Sequence, residues 1–257
     1  MSFCSNMIPK IIHYVWLGGK PMSPLGERCL ASWKKHLPGW EIKRWDEGNS
    51  PMGQFFVAKM MKEGKVAFAS DYIRLHALLE SGGLYLDTDV EICRDPGEMA
   101  EGTRLILGFH SVQNRLWKCA LATCWIAAPQ GFSLLRSIHK RYEALDRAVM
   151  NNTIFTGEIL PLFGNHALPS DGRFPYLENA SVRIYHRDYF GSESGVQSVD
   201  ATVDPVAMHY GTGDWGGRAD PLPWWRRFYD MRLDRKVLRP IEGWVKKIRS
   251  PAPQSSS

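Results

Sequence analysis

Asp87 and Asp89 flank a single threonine directly after the apolar run Leu84-Tyr85-Leu86. Two carboxylates at i and i+2 on the end of a strand point the same way. Together they can share one divalent cation, a hard ion that takes oxygen ligands. Such a cation suits a diphosphate, because it stabilises the charge that develops when the diphosphate leaves. Sixteen residues earlier stands another acid, Asp71, three residues before Arg74. On a helix these two share one face. The guanidinium fork fits phosphate or sugar oxygens, and the carboxylate accepts from sugar or ribose hydroxyls. The combination points to an enzyme that handles a nucleotide diphosphate sugar. Each part also has a plainer reading: the Asp-Thr-Asp triplet as a solvated turn, and Asp71 with Arg74 as a surface ion pair of little energy.

The elements that must position these residues follow from periodicity and punctuation. Residues 8–17, IPKIIHYVWL, form a β-rich apolar run ending at Gly18-Gly19, which predicts a buried first strand. Leu25 to His36 has helical spacing, with Leu25, Cys29, Leu30 and Trp33 on one side, and Pro38-Gly39 stops it. Trp40 to Trp45 alternates as a strand with one buried face would. Strand, helix, strand is the opening of an α/β layer fold. Val66 to Ala69 reads as an apolar strand, with Ser70 as N-cap of a helix from Asp71 to Ser81 that ends at Gly82-Gly83. Leu84 to Leu86 is then a short buried strand. Further strands are expected at Thr103 to Phe109, Ala120 to Ala128 and Val203 to Tyr210, and a helix at Phe132 to Met150. Residues 151–181 read as loop-rich, and no internal repeat is visible.

The 257 residues and ten tryptophans are ample for a core. Five cysteines, an odd number without a CxxC pair, argue against a disulfide scaffold or a zinc site and fit a reducing cytosol. Residues 1–20 carry no apolar run behind a basic start, so no signal peptide is expected. No run of about 18 apolar residues suggests a spanning helix. The net charge of +5 is unevenly placed. Residues 224–249 hold nine Lys and Arg against three acids, a net +6, which leaves −1 for the rest.

Over roughly residues 8–110 the chain resembles the DXD-motif sugar-transferase family. That family includes the fungal Golgi initiating α-mannosyltransferase and bacterial capsular-polysaccharide enzymes. The chain is more distantly similar to the catalytic domains of large glucosylating toxins. The carrying segments are IPKIIHYVWLGG (8–19), FASDYIRL (68–75) and GGLYLDTDVE (82–91). The resemblance implies a GT-A-like single domain, α/β with a mixed central sheet flanked by helices and a Rossmann-like nucleotide-binding half. By the same resemblance, Val15 and Trp16 sit at the nucleobase, with Trp16 stacking on it. From its residue type alone, Trp16 reads first as a core tryptophan. Asp71 and Arg74 match the acid and arginine that grip donor sugar and diphosphate. Asp87 corresponds to the acid that reaches ribose and sugar hydroxyls, with a metal role open to it, and Asp89 to the direct metal ligand.

Near the C-terminus, His209-Tyr210-Gly211-Thr212-Gly213-Asp214-Trp215 fits the order in which relatives supply a third metal ligand, a glycine-rich loop and a tryptophan. His209 is thus the implied third ligand, against the reading of it as a structural histidine, while whether Asp214 touches the metal and whether Trp215 caps the donor stay open. An imidazole ligand tilts the choice toward Mn²⁺ over Mg²⁺. Asp214 replaces a common serine, and Glu158, after Thr156-Gly157, replaces a proline. The second change is either a neutral loop difference or a carboxylate near the acceptor. The family implies retention of anomeric configuration, and no nucleophile pair of the double-displacement kind emerges.

The division expected is a transferase domain over 1–218, a basic aromatic helical segment over 219–249 and a disordered tail over 250–257. Aromatic and basic residues interleave in 219–249, broken by Pro240. That segment suits either a solvated helical cap or docking to an anionic inner membrane that carries a lipid-linked glycan. No nucleic-acid motif accompanies the charge. The expected function is a metal-dependent retaining glycosyltransferase, cytoplasmic or peripheral on the inner membrane face. It would use a nucleotide diphosphate sugar, UDP-linked in preference, for a surface polysaccharide or lipopolysaccharide glycan. The alternatives are a toxin-like protein glycosyltransferase and an inactive carbohydrate-binding relative.

Overall fold

The computed structural model describes residues 7–112, 119–164, 168–169, 173–192 and 203–211. The chain divides into two compact units, and all of these residues lie in the first, Met1–Glu193 with Ser198–Ala219. The segment 219–249, the tail, Asp214 and Trp215 lie outside the described residues.

The chain opens with a parallel unit: β1 (Ile11–Val15), α1 (Pro24–His36), β2 (Glu41–Trp45). Ser23 caps α1 through a bond from Gly26 N, and Pro24 follows at the first helical position. Next come α2 (Phe55–Lys62) and α3 (Val66–Ser81). β3 (Gly83–Leu86) pairs parallel with β1 and antiparallel with β6 (Ala120–Ala128). β5 (Leu105–Ser111) pairs with β6, β8 (Val182–Tyr185) with β5, and β7 (Tyr176–Glu178) closes the far edge. Among the described residues the central sheet therefore has the order β2-β1-β3-β6-β5-β8-β7. It is a mixed sheet with helices and core on both faces, as expected. A small second sheet, β4 (Val90–Ile92), β10 (Ala207–His209) and β9 (Phe190–Ser192), stands beside it. None of Cys29, Cys93, Cys119 and Cys124 is joined in a disulfide. No helix of the described residues is long and apolar enough to cross a membrane.

Three expectations are corrected. Residues 66–69 are the first turn of α3, not a strand. A four-residue apolar run cannot tell a strand from a buried helix segment, and here the two alanines favour helix. Ser70 is consequently inside α3, where its Oγ donates to Ala67 O at 2.7 Å, and Lys65 occupies the N-cap. The helix expected over 132–150 ends at Glu143 in α4 (Ser133–Glu143). The stretch read as loop begins with α5 (Asn151–Ile159), which holds Leu121 through Thr156 and Asn152. Its apolar Ile154, Phe155 and Ile159 are buried against the sheet, and tertiary packing decides the helix.

The junction of α3 and β3 depends on two glycines. Gly82 has φ +66 and Gly83 φ +109, and a Cβ on either would strike backbone of Gln130 or Ile11. Gly82 O accepts from His13 Nε2 at 2.7 Å, while Trp45 Nε1 donates to His13 Nδ1 at 3.0 Å. His13 is thus a fully buried neutral imidazole that ties β1, β2 and the end of α3 together.

Burial holds the His13 pKa down to about 4, partly opposed by the Gly82 bond, from an ordinary 6.5. Between those values the unfolded chain binds the extra proton. Stability from this residue therefore rises with pH through the window and is lost on acidification. The span of about 2.5 pH units corresponds to about 3 kcal/mol. The difference in unfolding free energy between wild type and His13→Gln, measured by urea titration, should grow by roughly that amount from pH 4 to 6.5. A difference that does not vary with pH would contradict the neutral buried histidine.

Candidate active site

The triplet Asp87-Thr88-Asp89 forms a turn, closed by Val90 N donating to Asp87 O at 3.0 Å. Asp87 N continues the β3–β6 ladder onto Cys124 O. Beyond the turn, β4 is fixed to α1. Trp33 Nε1 donates to Val90 O at 2.7 Å, and Ile92 N donates to Ser32 Oγ at 2.9 Å. The two acids are therefore held at both ends of the turn.

β10 delivers His209. It runs antiparallel to β4 with His209 opposite Val90, and Tyr210 N donates to Asp89 O at 3.0 Å. Tyr210 Oη reaches Glu91 at 2.6 Å, and Glu91 also pairs with Arg28. His209 Nε2 lies 3.4 Å from Asp89 Oδ1. Asp87, Asp89 and His209 each bring one ligand atom within 4.8 Å of the others, all half-buried. Two carboxylates and one imidazole form a donor set that fits Mn²⁺ or Mg²⁺ with positions left for phosphate and water. Burial pulls the His209 pKa down, but Cys124 and Asp89 outweigh it and raise it to about 12. A cation there would displace that proton.

Behind these three side chains is Arg74, buried at 4% exposure. Its Nη2 lies 2.8 Å from Asp71 Oδ1 and its Nη1 3.3 Å from Asp87 Oδ1. Nη1 also donates to Thr123 O at 2.7 Å, and the guanidinium carbon stands 4.6 Å from the Tyr85 ring centroid. Burial works against its charge, but Asp87, Tyr85 and Asp71 hold its pKa above the ordinary arginine value. Asp71 Oδ1 further accepts from Asn151 Nδ2 at 2.6 Å. Burial pushes the Asp71 carboxyl up to about 7 against the pull of Arg74, with Asp87 adding to the rise. Tyr85 Oη donates to Asp87 Oδ1 at 2.9 Å.

The structure brings together Asp71, Arg74, Asp87, Asp89 and His209. Asp71 and Arg74 are buried, not a surface pair. Trp16 and Val15 end β1 on the same sheet edge, where Trp16 is buried at 6% and donates through Nε1 to Lys20 O. Glu158 pairs with Arg141 of α4 at 2.8 Å. Sequence reasoning missed Tyr85, Asn151 and the Thr123 carbonyl. Tyr85 had a signal, since it stands two residues before Asp87 and so on the same strand face. Asn151 had none, because only the packing of α5 carries it to Asp71.

Residues 25–105 match the family model described as glycosyltransferase sugar-binding region containing DXD motif. The matched stretch carries Asp71, Arg74, Asp87 and Asp89, so this part of the chain is similar to that family. Solved structures to which the chain is similar include the PaToxG glycosyltransferase, at 18% identity over 61% of this chain and 70% of that one, with a TM-score of 0.48. Another is the apo-form glycosyltransferase GlyE of Streptococcus pneumoniae TIGR4, at 13% over 96% and 66%, TM-score 0.45. A third is the galactosyltransferase LgtC in complex with donor and acceptor sugar analogs, at 13% over 90% and 99%, TM-score 0.42. No curated protein matches the sequence at comparable significance.

Arg74→Met would leave Asp71 and Asp87 facing one another in a buried setting without their cation. The expected loss of stability at neutral pH is about 3–5 kcal/mol. It should shrink as the pH falls and the Asp71 carboxyl, pushed up to about 7 by burial, protonates. Denaturant titrations at pH 7.5 and 5 check this, and a loss under about 1 kcal/mol at both would mark the pair as a surface-like contact.

Proposed function

We propose that this chain transfers a sugar from a nucleotide diphosphate sugar, UDP-linked in preference, to a glycan acceptor with retention of anomeric configuration. The observation that carries the reading is the convergence of Asp87, Asp89 and His209 beside the buried Asp71–Arg74 pair. Asp89, His209 and Asp87 would hold the divalent cation, Mn²⁺ or Mg²⁺. When bound, it supplies Lewis-acid neutralisation of the diphosphate charge. Arg74 sits behind the leaving group and adds a fixed positive charge in a water-poor setting. Asp71 and Asp87 orient the donor through its sugar and ribose hydroxyls.

Retention by front-face transfer is supported by how the carboxylates are engaged. Asp71 is bound to Arg74 and Asn151, and Asp87 to Arg74 and Tyr85. Neither is placed as a free nucleophile. The acceptor oxygen forms its bond to the anomeric carbon on the face from which the diphosphate departs, and the acceptor proton passes to a diphosphate oxygen. Val15 and Trp16 would flank the nucleobase. Because the Trp16 ring is covered and bonded to Lys20, stacking requires the Gly18–Lys20 turn to lift.

The glycan belongs, in this reading, to a surface polysaccharide or lipopolysaccharide made on the cytoplasmic side. The transferase unit spans 1–218, Trp215 caps the donor, and the basic segment 219–249 meets an anionic membrane carrying the acceptor. The segment 250–257 is a tail. No nucleic-acid partner is proposed.

Thermal unfolding in the presence of nucleotide sugars, with and without Mn²⁺, tests the donor. At a hundredfold excess over its dissociation constant, a donor should stabilise the protein by about 2.7 kcal/mol. The shift should need Mn²⁺ and vanish in Asp89→Ala. Product analysis should show an α-linkage from an α-linked donor. A β-linked product would end the retaining mechanism.

A further inference from the structure

His209 comes to the two aspartates on a very short strand. β10 has only three residues, and two residues past His209 the chain turns at Gly211 with φ +61. The ends of short strands open easily unless side chains tie them down. Tyr210 supplies the tie. Its N–H continues the β4–β10 ladder onto Asp89 O at 3.0 Å. Its hydroxyl donates to Glu91 Oε2 at 2.6 Å, across 119 residues of sequence. A bond this short to a carboxylate is of the charge-assisted kind. Tyr210 stands opposite Asp89, which makes Glu91 its diagonal neighbour on β4, within reach of an aromatic side chain.

Arg28 closes the group. Its Nε lies 3.3 Å from the same Glu91 oxygen, and its guanidinium carbon stands 4.9 Å from the Tyr210 ring centroid. Arg28 belongs to α1, one turn before Ser32 and Trp33, which hold Ile92 N and Val90 O. On its other edge β4 pairs with β10, and Cys93 N donates to Val206 O at 2.8 Å. Helix α1 thus occupies the edge of β4 that β10 leaves open, and through Arg28 and Glu91 it reaches across to Tyr210. Glu91 stands two residues after Asp89 and could be taken for a further ligand. Its carboxylate is turned to Tyr210 and Arg28 instead, and it is not among the side chains whose ligand atoms converge.

We infer that Tyr210, tied by Glu91 and Arg28, is a positioning residue for His209: it pins the end of β10 so that the imidazole stays against Asp89. The inference rests on the reading of Asp87, Asp89 and His209 as cation ligands only for its consequence, a site formed before the cation arrives. Tyr210 and Glu91 act through His209 and touch neither cation nor substrate. The Arg28 side chain is half exposed, so the Tyr210–Glu91 bond carries most of the effect.

The test is Mn²⁺ binding by the full chain without nucleotide, read from the loss of the free-ion electron paramagnetic resonance signal. Tyr210→Phe and Glu91→Ala should each weaken binding by about tenfold, the lower end of what changes around metal ligands cost. Glu91→Gln removes the same charge as Glu91→Ala but keeps an oxygen that accepts from the hydroxyl, and should recover most of the loss. Arg28→Ala should change affinity by less than about threefold. Without metal, the melting temperature of Tyr210→Phe should fall by only about 3 °C, as for one lost hydrogen bond, which separates weaker binding from unfolding. Wild-type affinity in Tyr210→Phe, or equal affinities in Glu91→Gln and Glu91→Ala, would overturn the inference. Should Tyr210→Phe fail to fold, the two Glu91 variants decide. Should wild type bind no Mn²⁺, the cation reading fails by itself, and amide hydrogen exchange at Tyr210 N–H judges the tie. Faster exchange in Glu91→Ala than in Glu91→Gln then supports the inference, and equal rates refute it.

Discussion

A buried guanidinium must be surrounded by partners, and the position of Arg74 constrains much of this molecule. Its charge is compensated by Asp71 from its own helix and Asp87 from the adjoining strand end. A backbone carbonyl of β6 takes a further donor. Taking such a charge out of water costs several kcal/mol, which only good geometry and full hydrogen bonding return. Helix α3, strand β3, strand β6 and, through Asn151, helix α5 must therefore arrive together. An arrangement expensive for stability makes sense at a place where a fixed positive charge is needed for chemistry.

The same constraint explains why the cluster of Asp87, Asp89 and His209 is formed in advance. Asp87 is held by Arg74 and Tyr85, so its carboxylate is oriented before any ligand arrives. Asp89 is placed by the turn and by the pairing of β4 with β10, which also brings His209 from more than a hundred residues away. Trp33 and Ser32 of α1 hold β4 against the sheet. In the proposed transfer, charge developing at this edge would meet dipoles and the Arg74 guanidinium already in place, which is the efficient form of electrostatic stabilisation.

Much of this was legible in the residues. Asp87 and Asp89 at alternate positions after an apolar run, and Asp71 three residues before Arg74, are short-range patterns. The βαβ opening and the strands at β3, β5 and β6 followed from alternation and glycine punctuation. What was not legible was set at long range. The run 66–69 is too short for its apolar pattern to separate strand from buried helix, and it continues into α3. Residues 151–159 have almost no amphipathic pattern, and packing on β6 makes them helical. Asn151 reaches Asp71 only through the fold, and no local spacing marks it.

The most direct test of the account is the anomalous scattering from a crystal containing Mn²⁺ and a nucleoside diphosphate. The account predicts a peak among the Asp89, His209 and Asp87 side chains, with the diphosphate against it and Arg74 still bound to Asp71 and Asp87. A cation found elsewhere, or an Arg74 that has left its carboxylates, would contradict the claim that this buried charge network builds the site.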